Sequence, residues 1–190
     1  MLTRLRGLSV AHAMILFSVL GILAVLAYSG ARIATDFEQR RNLIRDTRLT
    51  HLAQGIGELT HALQKERGAS AGFLASNGTH FGGDLAGYRE EADGSIASLA
   101  GSIDAIRSDL EGDGQLMTAI AALEERIRTL PDLRQRVDGQ DIASNAVIDS
   151  YTRINRDAIG LLPEIGKNIS YSNAARTVQR HAILMTAKDI

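Results

Sequence analysis

"LAQGIGELTHALQKERGASAGF", Leu52 to Phe73, decides how this chain is built. Leu52, Ile56, Leu59, Leu63, Glu66, Ser70 and Phe73 recur at alternating steps of four and three residues. That is the seam of a helix packed in a bundle. Two members break the apolar rule: Glu66 and Ser70 fall where core side chains belong. Arg67 stands four residues after Leu63, beside the same stripe. A buried guanidinium needs a counter-charge or an anion, and its planar fork matches two oxygens at once. Gly68, Ala69, Ala71 and Gly72 thin the helix next to it, although a glycine inside a helix costs about 1 kcal/mol relative to alanine. Such thinning implies that the space is used, by a closely approaching helix or by a small ligand. An internal Glu66–Arg67 salt bridge and an anion site at Arg67 both satisfy these residues.

The chain before this stretch points to a membrane. No charge falls between Arg6 and Arg32, and "GLSVAHAMILFSVLGILAVLAYSGA" supplies roughly 25 residues, enough to cross a hydrocarbon core. A cleaved signal peptide is the competing explanation, but the apolar run is longer than a usual signal core and helix-forming sequence continues past it. The expected organisation is a short cytoplasmic tail (1–9), a transmembrane helix (10–31) and a helical domain (32–190) cut short at its carboxyl end. Basic residues flank both sides of the span, so the charge bias alone does not orient it. A very short amino-terminal tail places the domain outside the inner (plasma) membrane, in the periplasm.

Composition narrows the function classes. Across 190 residues the net charge is -1, which gives no basic field for nucleic acid. Aromatic residues are 4%, tryptophan is absent and only Pro131 and Pro163 interrupt the chain, so the core is aliphatic and the fold all-α rather than sheet. Cysteine is absent, which excludes disulfides and a cysteine nucleophile. No two of the five histidines sit four apart, so no helical metal pair is expected. "DLEGDG" (Asp109–Gly114) resembles the start of a calcium loop, but Ile120 stands where the late glutamate belongs. No phosphate loop or nucleophile elbow appears, and neither a cofactor nor an enzymatic activity is expected.

Downstream, the spacing predicts helices over Leu85–Leu110 (Ile96, Leu99, Ile103, Ile106) and Gln115–Val137, the latter kinked or restarted at Pro131. A fourth helix is expected from near Asp141, with Ile148, Tyr151, Asn155, Ala158, Leu162, Ile165 and Ile169 in register and a kink or short break at Pro163. A fifth is expected from Ser172. The fold class is thus a transmembrane helix leading into an antiparallel helical bundle, with a second bundle incomplete.

"LQKERGASAGFLASNG", leading into "GYREEADGSIASL", closely resembles the start of the bacterial nitrate- and nitrite-sensing (NIT) domain. "YTRINRDAIGLLPEI" (Tyr151–Ile165) resembles a later segment of the same family. The resemblance implies two helical bundles with a nitrate or nitrite site between long helices and arginines as ligands, Arg67 matching the motif arginine. It also implies a sensory input joined to an output such as a chemoreceptor (methyl-accepting chemotaxis protein) or histidine kinase. The family's second arginine motif is missing here. Beside Arg67, the candidate anion ligands are Ser70, Tyr151 and Asn155 on inward register positions and Arg176 on the last helix, with solvation or helix-register roles as alternatives. Expected partners are a small anion, membrane lipid and a second copy of the chain. The alternative is a ligand-free, membrane-anchored helical scaffold that uses the seam to dimerise.

Overall fold

The computed structural model describes residues 10–110 and 112–169. The expected tail (1–9) and fifth helix lie outside the described residues. Among the described residues there are five α-helices: α1 (Val10–Ala75), α2 (Gly82–Ile106), α3 (Gly114–Ile127), α4 (Leu130–Asp138) and α5 (Ser144–Asn168), with a 3-10 turn, Arg107–Leu110, after α2. No strand occurs among the described residues. The chain divides into two units, Met1–Leu43 and Ile44–Ile190.

In the first unit, α1 exposes Met14, Ile15, Leu16, Phe17, Leu20, Ile22, Leu23 and Leu26. Among the described residues, α1 is the one helix long and apolar enough to cross a membrane.

The second unit is an up-down-up-down bundle. Leu49, Leu52, Ile56, Leu59 and Leu63 of α1 are fully buried, as the four-three spacing requires. Each such side chain contributes about 1.5–3 kcal/mol by leaving water. α5 runs antiparallel to α1: Ser144 Oγ donates to the Ala71 carbonyl (3.1 Å), Arg67 Nη1 to Thr152 Oγ1 (3.0 Å) and Arg45 Nη2 to Asn168 Oδ1 (3.1 Å). The reversal from α1 into α2 follows from a helix stop at Asn77, which takes a left-handed backbone (φ 49°). Gly78 N–H then donates to the Phe73 carbonyl (2.8 Å) and Asn77 N–H to that of Leu74 (3.1 Å), which satisfies the terminal carbonyls.

Pro131 does restart the third helix. α3 ends at Ile127 and α4 begins at Leu130 with the proline in its first turn, where its missing N–H costs no hydrogen bond. Of the kink or short break expected at Pro163, the break does not occur, because α5 runs through the proline. The ring faces solvent while Leu161, Leu162 and Ile165 around it are buried, so packing outweighs the lost backbone bond. One register position is also corrected: Val147 is buried and Ile148 is 41% exposed, because the start of α5 turns its neighbour inward.

Asp113 caps α3, accepting from Leu116 N–H (3.0 Å) and from Asn168 Nδ2 (2.6 Å). Those bonds hold its carboxyl below the ordinary value, the Leu116 amide contributing most. A depressed folded-state pKa gives stability that is present above the unfolded value near 4 and is lost as pH falls through the folded one. Asp113→Ala is expected to cost about 1 kcal/mol at pH 7, and the difference from wild type should narrow in urea unfolding curves as the pH falls below about 4.

Candidate functional site

Glu66 does not pair with its neighbour Arg67. Its carboxylate, fully buried, is gripped by Arg134 of α4, with Nε to Oε1 at 2.6 Å and Nη2 to Oε2 at 2.9 Å. The Tyr151 hydroxyl of α5 donates to Oε1 at 2.8 Å. Arg134 is held in turn by Asp93 of α2 (2.7 Å). Arg89 of α2 places its Nε 3.7 Å from Glu66 Oε1, too long for a hydrogen bond, while its outer nitrogens bind Asp138 at 2.7 and 3.0 Å. Four helices therefore meet on one carboxylate.

Tyr151 and Arg134 both keep their protons at neutral pH. Burial, then the Glu66 charge, push the Tyr151 phenol well above its usual range, so it remains a donor. Burial pulls Arg134 down, but bonds to Glu66 and Asp93 outweigh it and keep the guanidinium charged.

Arg67 takes a different direction. It is half-buried at the α1–α5 border, where it meets Thr152, the residue after Tyr151. Beside it, Gly68 is exposed, and an added Cβ would meet nothing within 4 Å among the described residues. Of the two uses expected for the space, a close approach occurs at Gly72, whose added Cβ would fall 2.6 Å from the Phe81 ring, and not at Gly68 among the described residues.

The other residues singled out from the sequence divide three ways. Ser70 is buried beside the Tyr151 phenol, yet its Oγ lacks a hydrogen-bond partner among the described residues. Asn155, one helical turn beyond Tyr151, is fully buried, and neither of its amide atoms has a partner among the described residues. Arg176 lies outside the described residues. On the same helix as Tyr151 and Asn155, Arg153 and Arg156 are exposed. Arg134, Arg89, Asp93 and Asp138 were not expected at all. Arg134 follows Leu130 by four residues and precedes Val137 by three, so its place on the edge of an apolar stripe was legible.

Unsatisfied buried amide atoms are costly. Asn155→Leu is expected to raise the unfolding free energy by about 1–2 kcal/mol, measured by urea denaturation. A loss of stability would show that the amide is satisfied by a ligand or an ordered water.

Among solved structures, the chain is similar to one described as "Structure of the NasR transcription antiterminator", at 24% sequence identity and a TM-score of 0.76. The match covers 87% of this chain and 44% of that one, so the chain spans less than half of its structural relative. This likeness bears on the fold alone. Comparison with curated proteins gives no match. The family model for nitrate and nitrite sensing matches residues 58–190, a span that contains the whole Glu66–Arg67 site and its three partner helices, and the chain belongs to that NIT family.

Proposed function

We propose that the chain is the sensory input of a bacterial transmembrane receptor, binding nitrate or nitrite at Arg67. The observation that carries this is the division of labour between adjacent residues. Glu66 is neutralised by Arg134 and Tyr151, so Arg67 is not needed as its counter-ion. The Arg67 guanidinium lies instead at a helix border, donating to Thr152, beside a Gly68 whose missing side chain meets no other group among the described residues. A planar oxyanion suits that fork. Ser70, Tyr151 and Asn155 are grouped on the facing stripes, and the unspent bonding capacity of Ser70 and Asn155 supports them as further donors. Arg176 is proposed as a second cation on family likeness alone.

The exposed apolar part of α1 supports anchoring in a cytoplasmic membrane, with the bundle on the outer side. Signalling then requires that the anion bind one packing of α1 against α5 better than another. A chemoreceptor, with the chain as a dimer, is one output consistent with this arrangement. Calorimetric titration of the full chain in detergent micelles tests the proposal. Saturable heat with sodium nitrate or nitrite, and none with sodium chloride, is expected. No heat with either oxyanion would leave the ligand-free scaffold.

A further inference from the structure

Glu66 and Arg67 are consecutive on α1, and Tyr151 and Thr152 are consecutive on α5. The two pairs face each other as two rungs, Tyr151 Oη to Glu66 Oε1 at 2.8 Å and Arg67 Nη1 to Thr152 Oγ1 at 3.0 Å. The first rung is buried and braced by the Arg134 fork from α4; the second is half-buried. Successive side chains on a helix leave the axis about 100° apart. Fixing Glu66 to two other helices therefore fixes the azimuth of α1, and with it the direction in which Arg67 leaves.

We propose that Glu66 is a positioning residue for the Arg67 site, its clasp by Arg134 and Tyr151 holding the guanidinium toward the anion. This rests on the reading of Arg67 as the anion ligand. A buried ion pair is commonly replaceable by apolar side chains with little loss of stability, so its presence in the core calls for a role in specificity. The clasp touches no proposed ligand atom except through Tyr151, which it also holds as a donor.

The test separates positioning from folding. In the double variant Glu66→Leu/Arg134→Met the clasp is removed without leaving a lone buried charge. Measured by calorimetry with sodium nitrate on the full chain, well below its unfolding temperature, its affinity is expected to fall about tenfold. Leu123→Ala, a core change on α3, should lower stability and leave affinity unaltered. Arg134→Lys keeps a charge against Glu66 and loses the planar fork; an affinity loss of about threefold is expected, and this variant decides the matter should the double variant not fold. Unchanged affinity in the folded double variant, or in Arg134→Lys when that variant decides, overturns the positioning role while Arg67→Ala still weakens binding. An equal fall in Leu123→Ala overturns it too, by reducing the effect to general destabilisation. A wild type that binds no nitrate overturns the Arg67 reading and this one with it.

Discussion

Replacing Arg134 with methionine is expected to lower the unfolding free energy by about 3 kcal/mol. The cost does not come from losing a favourable contact. It comes from the carboxylate left behind, because Glu66 is fully buried and would retain only the Tyr151 hydroxyl at 2.8 Å. Arg89 moderates the loss, since its Nε already lies 3.7 Å from Oε1 and a small shift brings it within bonding range. Removing Arg89 as well should therefore raise the penalty to about 5 kcal/mol. The reverse holds when the carboxylate is removed too: Glu66→Leu/Arg134→Met should return to within about 1 kcal/mol of wild type, as apolar replacements of buried ion pairs commonly do. Urea unfolding of the full chain in detergent, followed by circular dichroism, gives all three numbers. A single Arg134→Met variant as stable as wild type would mean that water reaches Glu66 and that the cluster is not a core element.

The inward placement of Glu66 was readable from the sequence because helical spacing leaves little choice: Leu59, Leu63, Glu66 and Ser70 share one stripe, and all four are buried. Its partner was not readable. Arg89 and Arg134 each border a stripe, the first four residues after Leu85 and the second four after Leu130, yet periodicity says nothing of which helices adjoin. The adjacent Arg67 was the nearest cation in sequence and the wrong one, since consecutive helical residues diverge and cannot share a partner on one face. Local rules also lost to packing at Pro163, where buried neighbours hold α5 together, and at Ile148, where the helix entry turned Val147 inward. Gly68 left two readings open for a related reason: glycine reports that a side chain is dispensable, not whether a helix or a ligand takes its place. Bundle, helix order and the apolar segment of α1 were legible because each rests on a long repeated pattern. The polar cluster rests on single residues brought together by the fold.

Arg67→Ala should weaken nitrate or nitrite binding about a hundredfold, since charge-assisted hydrogen bonds are each worth about 1.5–3 kcal/mol and the fork supplies two of them. Arg67→Lys restores the charge but not the planar pair of donors, so about a tenfold loss should remain. Stability should respond very differently. One bond of half-buried Arg67 crosses the bundle to the Thr152 hydroxyl, and losing that bond is expected to cost about 1 kcal/mol. Arg134 is the reverse case: its loss costs about 3 kcal/mol of stability and reaches the anion only through the clasp on Glu66. Saturating nitrate should raise the unfolding temperature of wild type by linkage and leave that of Arg67→Ala where it was. If nitrate stabilised both proteins equally, the anion would be held by groups other than this guanidinium, and the adjacent Glu66 clasp would have nothing to orient.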